Sequence, residues 1–138
     1  MFYLTRRECF SAAHRMFRPE WSDEKNAEVY GKCSSPNWHG HNYVLYVTVS
    51  GEIDPETGYV IDMKSLGALI RKFIIEKMDH KNINLEVDFM QGVTASSENI
   101  IAAIWRELEQ PIAALGAKLH RIRLDENENN SVELTLDH

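Results

Sequence analysis

Apolar and polar positions alternate most clearly over residues 39–53. There Tyr43, Leu45, Val47 and Val49 face one way and Val44, Tyr46 and Thr48 the other, which predicts a long strand covered on both faces. Residues 1–14 mix β-branched and aromatic residues with polar ones and read as a first strand. Between them, residues 15–37 are irregular, broken by Pro19, Asn26, Gly31, Ser34, Ser35 and Pro36, and read as a long connection of the kind that carries function. Asp54-Pro55-Glu56-Thr57-Gly58 spells a turn, with Pro presetting φ and Gly accepting a positive one, and leads into a short strand at 59–61.

The period then changes. Asp62 is a candidate N-cap for a helix over 63–78, whose Leu66, Leu69, Ile70, Phe73 and Ile74 form one stripe. Ser96 or Ser97 is placed to cap a second helix over 97–115. Its stripe is Ile101, Ile104, Trp105, Leu108, Ile112 and Leu115, with Pro111 expected to kink it and Gly116 to end it. Two strands, 118–125 and 131–136, close the chain around the turn Asn127-Glu128-Asn129-Asn130. This order predicts an α+β fold: a four-stranded antiparallel sheet with two helices packed on one face. The helices leave the second face bare, so neighbouring subunits are its expected cover and a homo-oligomer follows.

Composition narrows the function. The chain has 138 residues, which predicts a single domain over 1–138, and its 43% hydrophobic and 26% charged residues argue against disorder. A net charge of −6 without a Lys/Arg-rich block argues against nucleic acid as a partner. No apolar run approaches the ~20 residues of a bilayer span, and no basic-then-apolar leader opens the chain, so no membrane partner is expected. The two cysteines, Cys9 and Cys33, form no disulfide framework and point to free thiols in a reducing cytoplasm.

The candidate chemistry lies in the histidines, of which there are six: His14, His39, His41, His80, His120 and His138. His39-Gly40-His41 opens a strand, so its two imidazoles project from the same face about 6–7 Å apart. His14 ends the other early strand, its natural antiparallel partner. Three neutral imidazoles suit Zn²⁺ with a fourth position open, the pattern of a catalytic site. An isolated His-x-His pair or a lone His14 is more often structural. Cys33 would be biased toward thiolate near a metal and could serve as a base; away from one it is an ordinary buried cysteine. Asp79 beside His80 can tune an imidazole for proton transfer, although a histidine where a helix ends is also explained by the helix dipole. Glu126, by default a solvated acid, could accept paired N–H donors from a flat heterocycle if buried.

The segments that carry these residues are Phe10-Ser11-Ala12-Ala13-His14, Tyr30-Gly31-Lys32-Cys33, Pro36-Asn37-Trp38-His39-Gly40-His41-Asn42-Tyr43, Gly51-Glu52-Ile53-Asp54-Pro55-Glu56-Thr57-Gly58, Asp79-His80-Lys81-Asn82, Ser96-Ser97-Glu98-Asn99 and Glu126-Asn127-Glu128-Asn129-Asn130. In this order and spacing the chain resembles the 6-pyruvoyl-tetrahydropterin synthase family over nearly its whole length. The resemblance implies the tunnelling (T-) fold, in which three subunits join their sheets into a twelve-stranded barrel and two rings stack as a hexamer. It implies one Zn²⁺ per subunit on His14, His39 and His41, and proton transfer by Cys33, Asp79 and His80, the latter two reaching the site from a neighbouring subunit. Glu126 would anchor a pterin, with Ser96, Ser97 and Glu98 lining its pocket.

The implied reaction converts 7,8-dihydroneopterin triphosphate into 6-pyruvoyl-tetrahydropterin and triphosphate. An internal shift of reducing equivalents from side chain to ring makes an external redox cofactor unnecessary. Animal members of the family have Thr-Thr where this chain has Ser96-Ser97, and a small residue is usual where it has Trp38. Arg15, Lys32 and Lys81 are the candidate cations for the triphosphate. The alternative reading is the related 6-carboxy-tetrahydropterin synthase of queuosine biosynthesis, which acts on the same substrate and sheds the side chain as acetaldehyde. The six-residue step from Cys33 to His39 favours the pyruvoyl enzyme. A non-catalytic zinc-binding assembly protein would leave Cys33, Asp79-His80 and Glu126 without a role, and a zinc hydrolase would release phosphate and leave the pterin side chain unchanged.

Overall fold

The computed structural model describes residues 1–136; His138 lies outside them. Five strands form one sheet, in the spatial order Lys81–Asn82, Phe2–His14, His39–Gly51, Lys118–Asp125, Ser131–Thr135. The long strands are β1 (Phe2–His14) and β2 (His39–Gly51), joined by β4 (Lys118–Asp125) and β5 (Ser131–Thr135). These four pair antiparallel, as the alternation predicts, and the fifth, β3 (Lys81–Asn82), adds two residues parallel to β1 at Ala12 and Ala13. So short a strand carries no periodicity, which is why the expected sheet has four strands and the observed one five. Residues 59–61 do not form the expected strand; they lie in the bends that follow the turn, closed by the Asp54 N–H donating to the Tyr59 carbonyl at 3.0 Å.

One sheet face is the core. Phe10, Ala12 and His14 of β1 lie beside Tyr43, Leu45, Val47 and Val49 of β2, all buried. On β4 a bulge opposite Thr48 and Val49 leaves His120 unpaired, which resets the alternation so that Leu119, Ile122 and Leu124 all turn inward. The opposite face mixes half-buried Val44 and Tyr46 with polar pairs: Thr5 and Thr48 hydroxyls meet at 2.7 Å, and the Ser11 hydroxyl donates to Asn42 Oδ1 at 2.6 Å.

The helices cover the core face. Asp62 caps α2 (Met63–Ile70) by accepting from the Lys64 N–H, and the helical path continues through a wide π turn (Arg71–Ile75) into α3 (Glu76–Met78). Leu66, Ile70, Ile74 and Met78 are fully buried at four-residue steps. A regular helix would rotate each step by roughly 40°, and the wider turn offsets that drift. Helix α5 (Ser97–Ala114) starts at the Ser96 cap and runs through Pro111, burying Ile100, Ile101, Ile104, Leu108 and Ile112. Leu115, placed on its stripe by spacing, is 38% exposed beyond the helix end. Gly116 follows with φ 93°, the stop expected there.

Residues 15–37 are less irregular than the breakers suggest. They hold α1 (Asp23–Tyr30), capped by Ser22 and ended by Gly31 at φ 59°, and a 3₁₀ turn at Gly31–Ser34. Only Asn26 of α1 is buried, so the helix carries no apolar stripe for periodicity to reveal. Helix α4 (Ile83–Glu86) and a 3₁₀ turn at Asp88–Met90 likewise escape a reading by stripe because each is a single turn.

Candidate metal centre and its surroundings

Strand register builds the centre. His14 lies directly opposite His39, and Ala12 opposite His41, so period-2 alternation puts the three imidazoles on the core face at the end of the β1–β2 ladder. Their ring centroids stand 4.5 Å (His14–His39), 5.1 Å (His14–His41) and 5.1 Å (His39–His41) apart. Gly40 permits this pairing, since a Cβ there would press on the Ala12 carbonyl oxygen at 3.3 Å. Trp38, just before His39, holds φ 66°, a left-handed conformation that costs an L residue about 1–2 kcal/mol and that a glycine would adopt freely. Its half-buried ring lines a cleft of about 510 Å³ with Phe17 and Arg18.

His14 is 1% exposed, and its Nδ1–H donates to the Ala95 carbonyl at 2.7 Å, which leaves the Nε2 lone pair free. The inner nitrogens His14 Nε2, His39 Nδ1 and His41 Nε2 are buried without a hydrogen-bond partner. Leaving such groups unsatisfied costs about 1–3 kcal/mol each. One donor nitrogen from each residue lies within 4.8 Å of the others, a spacing at which a single ion can satisfy all three. Burial, reinforced by the neighbouring imidazoles, pushes the His14 and His39 pKa values below the ordinary histidine value and keeps both rings neutral and ligand-competent. The donor set therefore fits a divalent ion.

Glu126 stands beside the imidazoles. Its Oε2 accepts from the Ser97 hydroxyl at 2.6 Å, and its Oε1 is 3.6 Å from His41 Nε2. One short segment organises both groups: the Ala95 carbonyl holds His14, the Ser96 hydroxyl caps α5 through the Asn99 N–H at 3.2 Å, and Ser97 holds Glu126. Glu98 is exposed and lines a small depression with Ser97 and Glu126. A larger depression of about 660 Å³ opens from His41 past Glu126 to the Asn127–Asn129 turn.

Cys33 is half-buried in the 3₁₀ turn, which is fastened to the residues just after His14: the Met16 N–H donates to the Cys33 carbonyl at 2.8 Å, and Arg15 Nε to the Ser34 carbonyl at 2.7 Å. Asp79 and His80 sit at the sheet edge. Asp79 Oδ1 accepts from the Ser11 N–H at 2.9 Å, its Oδ2 lies 3.1 Å from His80 Nδ1, and the His80 N–H donates to the Ser11 carbonyl at 2.6 Å. The Ser11 bond first, and His80 second, hold the Asp79 carboxyl below its ordinary pKa. The His80 side chain is 83% exposed and its backbone is left-handed at φ 62°. It shares a shallow depression with His41 and Lys81 but is not one of the clustered imidazoles. Of the candidate cations, Lys81 lines that depression, Lys32 is exposed, and Arg15 is engaged by Ser34 and lies 4.0 Å above the Phe17 ring.

Two further groups adjoin the candidate site. The Ala95 carbonyl has no signature in sequence. Tyr43, buried with an unpartnered hydroxyl, stands two residues after His41 on the same strand face, and that spacing was the available signal. Burial, with Glu126 second, pushes its phenol pKa up.

The family model for 6-pyruvoyl tetrahydropterin synthase matches residues 3–137. A 6-pyruvoyl tetrahydrobiopterin synthase of Pongo abelii is 42% identical over 129 residues, covering 94% of this chain and 88% of its own. One of Poecilia reticulata is 43% identical over 131 residues, covering 94% and 87%. The solved structure of Caenorhabditis elegans 6-pyruvoyl tetrahydropterin synthase superposes with a TM-score of 0.90 at 31% identity, covering 99% of this chain and 96% of that one.

Proposed function

The chain belongs to the 6-pyruvoyl tetrahydropterin synthase family, and we propose that it is a lyase converting 7,8-dihydroneopterin triphosphate into 6-pyruvoyl-tetrahydropterin and triphosphate. The observation that carries this reading is the set of three unpaired imidazole nitrogens beside a carboxylate already steadied by a serine.

In this reading Glu126 accepts paired N–H donors of the pterin ring, and the Ser97 hydroxyl fixes the carboxylate for that task. Ser96 acts through the helix cap, and Glu98 lines the pocket. His14, His39 and His41 would hold a divalent ion, zinc and one per subunit, which would supply Lewis acidity toward the oxygens of the substrate side chain. Cys33 removes a proton from a side-chain carbon, and His80 with Asp79 delivers and recovers protons as reducing equivalents move from side chain to ring. Elimination of triphosphate and a second proton abstraction leave the pyruvoyl group.

The exposed His80, held at the sheet edge away from the clustered imidazoles, is suited to serve a neighbouring subunit. β3 covers β1 only at Ala12 and Ala13; Phe2 and Tyr3, at the far end of the strand, are 50% and 58% exposed. Free edges on β1 and β5 support sheets joined copy to copy into a trimeric barrel, and two trimers into a hexamer. Free thiols on Cys9 and Cys33, and the absence of a helix long and apolar enough to cross a membrane among the described residues, accord with a cytoplasmic setting.

Mass spectrometry after incubation with 7,8-dihydroneopterin triphosphate tests the function. The expected products are the pyruvoyl pterin and triphosphate. A carboxy pterin with acetaldehyde would reassign the chain to the queuosine-type reaction, and an unchanged substrate would leave a zinc-binding assembly protein.

A further inference from the structure

Tyr43 is the buried group that the proposed chemistry leaves unused. Its side chain is fully buried, and its ring stacks on Phe10 at 4.9 Å and 17°. It meets His41 edge-on at 5.5 Å and 75°, and His14 at 6.2 Å and 79°. Among the described residues, the buried side-chain nitrogen and oxygen atoms without a partner are three inner imidazole nitrogens and the Tyr43 hydroxyl. All four come from two neighbouring strands and one sheet face.

A phenylalanine would fill the same space against Phe10 without the roughly 1–3 kcal/mol that a buried unsatisfied donor costs. Of the acceptors beside the imidazoles, the Ala95 carbonyl takes the His14 N–H and Glu126 Oε2 the Ser97 hydroxyl, and none of them, the free Glu126 Oε1 included, takes a hydrogen bond from Tyr43. We propose that Tyr43 is a binding residue of the metal pocket, its hydroxyl donating a hydrogen bond to the oxygen, of water or of a ligand hydroxyl, that occupies the coordination position the three imidazoles leave open. This rests on the reading of the triad as a metal site.

The test compares wild-type protein with Tyr43→Phe through three readouts: melting temperature of the metal-free protein, visible absorption of the cobalt(II)-loaded protein, and affinity of the loaded protein for neopterin. The metal-free variant is expected to melt no lower than wild type. Its cobalt spectrum shifts because the coordinated oxygen has lost a donor, and neopterin affinity drops by about three- to tenfold, the effect of one hydrogen bond. A variant that melts lower or fails to fold would show that the hydroxyl has a structural partner and overturn the proposal. An unchanged cobalt spectrum or an unchanged neopterin affinity overturns it as well. Wild-type protein that takes up no cobalt overturns the metal site itself, and this role with it.

Discussion

The imidazole triad and the segment that bears Cys33 are held by different means. His14, His39 and His41 stand on paired backbone of the two longest strands, and His14 is further fixed by the Ala95 carbonyl. Cys33 stands on a 3₁₀ turn between an exposed helix and a loop, tied down by two backbone-carbonyl bonds to Met16 and Arg15. Asp79 and His80 are held at the sheet edge by their bonds to Ser11, by the Asp79 N–H donating to the Ile75 carbonyl at 2.8 Å and by the pairing of the following Lys81–Asn82 with β1, and the His80 side chain is 83% exposed. The three imidazoles that could hold an ion are thus brought together within one chain on paired strands, whereas Cys33 and the Asp79–His80 pair, proposed for proton transfer, lie on a turn and at a sheet edge. That division suits a site in which a ligand cluster must keep its geometry while proton-transfer groups close on the substrate.

The largest expected effect separates the two sets directly. His39→Ala removes a ligand and should weaken metal binding beyond the roughly 10- to 100-fold that loss of a mere supporting partner costs. Cys33→Ala should retain full metal content while turnover falls about 10²- to 10⁴-fold, the usual contribution of a general base. Metal analysis and steady-state kinetics on the two purified variants check this. Mixing Cys33→Ala with His80→Ala protein should restore part of the activity if His80 serves another subunit's site. No recovery after demonstrated subunit exchange would confine the proton-transfer set to one chain.

The same division governs which features are legible in the sequence. The triad was legible because strand alternation is strict: His39 and His41 share a face by spacing, and His14 ends the only other early strand. The long helices were legible from their stripes, even though a π turn inside the first is needed to keep Leu66, Ile70, Ile74 and Met78 in line. Helix α1 was not, because it buries a single asparagine, nor was β3, which is two residues long. The two-residue step from His41 sets Tyr43 on the same strand face, but an unpartnered hydroxyl exists only once neighbours are placed. Register, and with it the distance from Glu126 to His41, is a tertiary quantity that no local pattern contains.

A smaller effect follows from the titration of the triad. In the metal-free fold the His14 and His39 pKa values lie below the ordinary 6.5, chiefly through burial. Above that value both folded and unfolded chains hold these rings neutral, and they add no pH dependence. As pH falls below it, the unfolded chain binds protons first, so the metal-free protein loses stability until the folded-state values are passed. Metal retention follows the same groups: proton competition should begin further into acid than for free imidazole. Thermal melts of metal-free protein between about pH 7.5 and pH 5 should show a falling midpoint, with a shallower slope in His39→Gln. Equal slopes in both proteins would mean that His39 titrates in the fold as it does in the unfolded chain.

The smallest effect probes the Cys33 segment from a distance. Asn26, 3% exposed, clamps the loop that leads into α1: its Oδ1 accepts from the Arg18 N–H at 2.8 Å, and its Nδ2 donates to the carbonyls of Arg18 and Ser22 at 3.0 and 3.1 Å. Asn26→Ala leaves those backbone groups without this partner, at a cost of about 1–3 kcal/mol confined to residues 15–37. The sheet and its triad make no use of this clamp, so metal content and the global melt should stay close to wild type. Local opening should instead appear as faster hydrogen exchange and easier proteolysis between Arg18 and Ser34, with turnover reduced only a few-fold as Cys33 spends less time in place. A drop in metal affinity as large as that of a ligand variant would show the two regions to be one cooperative unit and erase the distinction between them.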